Sequence, residues 1–423
     1  MTEKTVLPNG VRVVSEELPH MRSVALGIWI GAGSRYEREK LSGASHFAEH
    51  MLFKGTEKRG ARQIAEELDA VGGQINAFTG RETTCFYARV LDEDVGVAAD
   101  VLTDMFFHSV FDPAEMEKEK HVILEEIKMY EDTPDDLILD LFTENLWRGH
   151  ALGRSVLGNA ETLSGLTRAD MLEYLAANYT PERIIIAVAG KFRPREMTEL
   201  LAPFAELSRP AAAPDRRRPE PGTVRRHYPK DIEQTHIVVG GPALPVRHED
   251  IYTLSMINNI LGVGMSSELF QEIREKRGLV YDVHSLVGAY QDAGLFGIYA
   301  GTAPEKSEEV IRAVLAEGEK LKQYGVSEEK LARTFTQMKG NMFLGLESVS
   351  GVMNRIGKME IDYGEVKTAE AVLAELQKVT PADVSRVWSG LWRRDSLSVI
   401  TLGCEDEGFG DGWHDLVMRE TTS

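Results

Sequence analysis

Residues 208–222 read Ser-Arg-Pro-Ala-Ala-Ala-Pro-Asp-Arg-Arg-Arg-Pro-Glu-Pro-Gly, and they divide the chain. Proline cannot donate to a helix or a sheet ladder, so this stretch reads as a linker with solvated arginines. It leaves residues 1–207 and 223–423, each close to one ordinary domain in size. The two halves look alike. Residues 86–90 (Phe-Tyr-Ala-Arg-Val) lead into an acidic helix start, as residues 296–305 do. The apolar run 183–190 that follows a helix has a counterpart in 396–403. The expectation is a duplicated α+β fold of two similar domains, each a mostly antiparallel sheet packed with helices.

The first half opens with a hairpin around Pro8-Asn9-Gly10 and a third strand over 24–30. Apolar residues Ile64, Leu68 and Val71 recur at helical spacing and stop at Gly72-Gly73. Two paired strands follow around Gly80-Arg81. A helix over 94–107 precedes a second, long and acidic one that begins at Asp112-Pro113 and runs to Glu131.

Between the third strand and these helices lies His46-Phe47-Ala48-Glu49-His50. The segment has no proline and no β-branched residue, so it predicts a helix of two to three turns. Residues i and i+4 then share a face, with i+3 beside them, which brings two imidazoles and a carboxylate into one small volume. That arrangement suits a catalytic zinc site, with His46 and His50 as ligands and an open position for water. Glu49 is placed to take the water's proton as general base. The order His-x-x-Glu-His is the inverse of His-Glu-x-x-His.

Charge and composition exclude several classes. With 48 basic against 67 acidic residues, net −19, a nucleic-acid or anionic-membrane partner is not expected. Cys85 and Cys404 are the only cysteines, so there is no disulfide framework and no Cys cluster for a structural zinc site. No apolar window reaches membrane-spanning length and no signal segment is visible, so the expectation is a cytoplasmic protein. The Leu261-Gly262-Val263-Gly264-Met265-Ser266-Ser267 loop is not followed by Gly-Lys-Ser/Thr and is not a phosphate loop.

The helix motif, the strand Gly-Gly-Gln-Ile-Asn-Ala-Phe-Thr and a pair of glutamates seven apart on the long helix resemble the insulinase/pitrilysin family of zinc peptidases. The likeness is strongest to the branch of the mitochondrial processing peptidase β subunit and its bacterial relatives. It extends over essentially the whole chain. It implies one Zn2+ per chain, with Glu126, 76 residues past His50, as the third ligand. Glu119 would stand in an outer shell; as a bare sequence feature it is equally a solvated side chain. The resemblance further implies that Gln74, Ile75, Asn76, Ala77 and Phe78 form an edge strand that pairs with extended substrate, Asn76 and Ala77 lying nearest the scissile bond. Arg274 and Tyr281 would reach the substrate carbonyl; without the family they read as a member of a surface ion pair and a strand start. His108, His121 and His150 have no such support.

The activity so implied is endopeptidase cleavage of unfolded or flexible peptides inside a chamber between two half-shells. A chain of this length is one half-shell, which implies a homodimer, with a heterodimer beside a motif-less homologue still open. A noncatalytic peptide-binding or assembly subunit is the alternative, against which the intact motif speaks.

Overall fold

The computed structural model describes residues 2–208 and 217–404, so most of the expected linker lies outside the described residues. They carry two sheets. The first contains β1 (Thr2–Val6), β2 (Arg12–Glu17), β3 (Ser23–Ile30), β4 (Gln74–Thr79), β5 (Thr84–Leu91) and β6 (Ile184–Gly190), in the order β1-β2-β6-β3-β5-β4. Only β2 and β6 run parallel. The second contains β7 (Arg225–Pro229), β8 (Thr235–Ala243), β9 (Val280–Ala289), β10 (Gly294–Thr302) and β11 (Ser398–Gly403), in the order β7-β11-β8-β10-β9. Only β7 and β11 are parallel there. Without β1 the two orders match strand for strand. The duplication read from the sequence is therefore present as topology, in an α+β fold of two similar domains.

In the first sheet β6 is buried at all seven positions, so both its faces need an apolar cover. One face is covered by α1 (Ala44–Leu52), α2 (Ala61–Ala70), α3 (Val95–His108) and α4 (Pro113–Glu131), through Phe47, Met51, Ile64, Leu102 and Ile123. The other packs Trp29, Ile185 and Ala187 against Val349, Val352, Met353 and Ile356 of the helix Val349–Tyr363. The second sheet is covered in the same manner by α5 (Pro134–Leu146), whose Ile138, Phe142 and Leu146 meet Val238, Leu295 and Ile400.

Each compact unit therefore takes a helix from the other half of the sequence. Residues 343–367 belong to the first unit and residues 130–153 to the second. This corrects the single cut into 1–207 and 223–423: it separates the two sheets but not the two units. Periodicity identifies a helix without saying which apolar face it will cover, and a sheet with two apolar faces accepts any helix that can reach it.

The borrowed helix of the first unit is fixed by shape and charge. Its Glu360 is fully buried and binds Arg12 Nη1 at 3.0 Å and Lys4 Nζ at 2.7 Å. Trp29 Nε1 lies 3.3 Å from Met353 Sδ. A Cβ on Gly357 would stand 2.5 Å from the Trp29 indole. Gly357→Ala should gain about 1 kcal/mol of helix propensity. It should lose more to overpacking, which costs about 1–3 kcal/mol, because a rigid indole already packed against Met353 has nowhere to go. The expected result is a lower denaturation midpoint in urea at unchanged slope; a higher midpoint would show that the indole moves freely.

Among the described residues no helix is long and apolar enough to cross a membrane.

Candidate metal centre

Helix α1 is nine residues long and begins where Gly43, at φ 95°, turns the chain. The side chain of Glu37 receives its first amides: Oε2 accepts from Gly43 N at 2.8 Å and Oε1 from Ser45 N at 2.7 Å. These are donors that a helix start otherwise leaves unsatisfied. The helix ends before Gly55, at φ 123°. Phe47, Ala48 and Met51 are buried in the core, which fixes the helix's rotation. His46, Glu49 and His50 are thereby placed on the side facing α4 and β4.

His46 Nε2 and His50 Nε2 are 3.2 Å apart. Glu126 Oε1 lies 3.7 Å from the first, and Glu126 Oε2 lies 3.6 Å from the second. Ligand atoms at about 2.0–2.1 Å in a tetrahedron are separated by about 3.3–3.4 Å. The three side chains thus already have the spacing of a three-ligand zinc site, and they form the one such group among the described residues. Burial, and then the neighbouring His50, pushes the pKa of His46 down to about 3 against the opposing pull of Glu119. A metal ligand must be such a neutral imidazole.

Around the cluster the polar groups are interlocked. Glu119 is 4 % exposed. Its Oε1 meets His50 Nδ1 at 2.8 Å, and its Oε2 accepts from Lys54 Nζ at 2.6 Å. Burial raises its carboxyl, but the bonds to His50 and Lys54 outweigh that and hold it below the usual range. A carboxylate on the far nitrogen of an imidazole sets the ring's tautomer and orientation. Glu119 is therefore not the solvated side chain that the sequence left open. Glu49 Oε2 accepts from Thr79 Oγ1 at 2.5 Å. Burial raises the Glu49 carboxyl, and Glu126 adds to this, while Thr79 and His50 oppose it.

Glu37, Lys54 and Thr79 were missed by sequence reasoning. Two had a usable signal: Lys54 is one turn beyond His50, and Thr79 shares the face of Ile75 and Ala77 by the period of two. Glu37 had none, because its partners are backbone amides across a loop.

Glu37 sets a pH dependence. Burial pushes its pKa up to about 7, against the lowering hydrogen bonds of Ser45 and Gly43 and the charge of Arg154. Between about pH 4.5 and 7 the folded chain holds a proton that the unfolded chain has released. The resulting stability is fully present below about pH 4.5 and is lost as pH rises through 7, on the order of 3 kcal/mol in total. Glu37→Gln should remove this contribution. Melting temperatures of both forms from pH 4 to 8 test it; parallel curves would be the contrary result.

Strand β4 ends the order of its sheet and pairs, among the described residues, with β5 alone, so its other edge is open. Gln74, Asn76 and Phe78 are exposed there, alternating with half-buried Ile75 and Ala77. Asn76 Oδ1 accepts from Ala77 N at 2.8 Å. Arg274 and Tyr281 belong to the second unit. Arg274 lies on a π-helical turn, Phe270–Lys276, with its guanidinium 4.6 Å from the Phe270 ring centre and 5.4 Å from that of Tyr281. Tyr281 is 76 % exposed. Glu125 points to solvent and pairs with Lys128, and His121 and His108 bond within their own helices. His150 Nδ1 accepts from Leu152 N in its own loop.

Comparison with known proteins gives a consistent result. The family described as Insulinase (Peptidase family M16) matches residues 12–160, and the Peptidase M16 inactive domain matches 165–338. The chain is 42% identical over 402 residues to the uncharacterized zinc protease YmxG of Bacillus subtilis, covering 95% of this chain and 98% of that one. It is also 42% identical over 407 residues to the uncharacterized zinc protease SCO5738 of Streptomyces coelicolor, covering 94% and 89%. Its fold is similar to that of a protease from Helicobacter pylori, with a TM-score of 0.90 at 22% identity over 95% of this chain and 99% of that one.

Proposed function

The chain belongs to the insulinase family of peptidases, M16, and from that premise we propose that it is a zinc-dependent endopeptidase cleaving unfolded or flexible peptides. The observation that carries this reading is the triad of His46, His50 and Glu126 at tetrahedral spacing, with the Glu49 carboxylate on the same helix. Those three residues would hold one zinc per chain. Bound there, the ion would supply Lewis acidity toward water and the scissile carbonyl.

The other steps fall to side chains. Glu49 takes a proton from the attacking water and delivers it to the leaving amine. His50 is oriented by Glu119, which Lys54 holds in turn. The open edge of β4 pairs with the substrate backbone, so that Gln74, Ile75, Asn76, Ala77 and Phe78 run beside it. A folded substrate has no free backbone to offer, which is the reason for a preference for flexible peptides. Arg274 and Tyr281 donate to the carbonyl oxygen as it gains charge. The placement of the Arg274 guanidinium over the rings of both Phe270 and Tyr281 supports a shared role.

The enclosed chamber and the homodimer are parts of the same proposal and rest on the family, while the cytoplasmic location proposed with them rests on the sequence reading. A heterodimer with a motif-less homologue is its variant.

The test is hydrolysis of a library of unstructured peptides of about 10–30 residues, with chelator and with zinc restored, read by mass spectrometry. Internal cleavage that chelation abolishes is expected. A zinc-loaded protein that cuts nothing would sink the reading and leave a noncatalytic peptide-binding subunit.

A further inference from the structure

Thr79 is the last residue of β4 and lies outside the segment assigned to substrate pairing. Its backbone is held on two sides. Across the sheet it is in register with Thr84, which is fully buried and whose Oγ1 donates to Ala32 O at 3.0 Å. Beyond it, Gly80 N donates to Thr83 O at 2.7 Å and closes the turn. Gly80 O and Arg81 O accept from Ser34 N and Arg35 N at 3.2 and 2.9 Å. The turn sits so tightly on Gly33 that a Cβ there would stand 2.1 Å from Gly80 O. Thr79 is therefore a fixed point, and its hydroxyl reaches α1 to hold Glu49 Oε2 at 2.5 Å.

A Glu side chain has three rotatable bonds, and the terminal one is broad, so packing alone does not fix the direction of its carboxylate. A donor on one oxygen does. With Oε2 engaged, Oε1 remains to accept a proton. The donor belongs to the strand whose open edge the substrate would join, so base and peptide take their alignment from one element.

We propose that Thr79 is a positioning residue: its hydroxyl orients the Glu49 carboxylate for proton transfer in register with a peptide paired on β4. This rests on the zinc-peptidase reading. Misplacing a catalytic group by about 1 Å costs up to about 100-fold in rate, so the expected effect of losing the hydroxyl is about 10- to 100-fold.

The experiment compares wild type, Thr79→Val and Thr79→Ser as full-length zinc-loaded protein on one internally quenched flexible peptide. Metal content, melting temperature and a crystal structure of each are measured alongside. Valine keeps the branched shape that suits a strand, and serine keeps the hydroxyl. Thr79→Val should lose about 10- to 100-fold in kcat with KM and zinc content unchanged and with the Glu49 carboxylate turned from its wild-type direction. Thr79→Ser should recover most of kcat. Wild-type kcat in Thr79→Val, or equal losses in both variants that follow melting temperature, would overturn the proposal while the peptidase reading stands. Wild type without chelator-sensitive cleavage would overturn the peptidase reading and this proposal with it.

Discussion

Glu49→Gln is expected to bind zinc as the wild type does and to lose about 100- to 10,000-fold in peptide hydrolysis, the range a positioned general base contributes. The substitution keeps the length and shape of the side chain, and the amide oxygen can still accept from Thr79 Oγ1. What it would remove is the proposed ability to take a proton from water and return it to the amine. His46, His50 and Glu126 are untouched, so metal analysis should give the wild-type stoichiometry. The pairing of the two measurements is what makes the result informative. Lost turnover with lost zinc would mean a damaged site, and full turnover with normal zinc would refute the role of Glu49.

Glu126→Gln should weaken zinc binding by more than the 10- to 100-fold typical of an outer-shell partner, because it would remove a proposed ligand and the only negative charge among the three. Activity should fall to background at low free zinc. A competition titration against a chelator of known affinity measures the shift. Glu125→Gln is the built-in comparison. It is the neighbouring carboxylate on the same helix, but it points into solvent and pairs with Lys128. It should bind zinc and turn over as the wild type does. Equal losses in the two variants would show that the acidic character of α4, and not the geometry of one carboxylate, holds the metal.

Much of the site was legible because helical geometry is local. Two His four residues apart share a helix face in any fold that keeps the helix, and Glu49 between them follows. The seven-residue spacing of Glu119 and Glu126 likewise puts both on one face of α4. What this spacing could not say is that the face is turned to α1, which leaves Glu119 buried between His50 and Lys54. The open edge of β4 was legible only through resemblance. A strand's own sequence does not reveal how many neighbours it has, and β4 is an edge because, among the described residues, it pairs with β5 alone.

By itself the sequence determined the sheet-and-helix content and the His-x-x-Glu-His face, since each depends on residues within a few turns or one strand of each other, and the duplication, since two stretches of like pattern can be compared without knowing what they touch. Only the tertiary structure decided that the helices holding Ile138 and Met353 cover sheets of the opposite half, that Glu37 receives the first amides of α1, and that Thr79 holds Glu49. Those contacts join segments from six to over three hundred residues apart across loops, where no periodicity carries the information. Each formed because a buried apolar face or a buried polar atom had to find a partner somewhere in the chain.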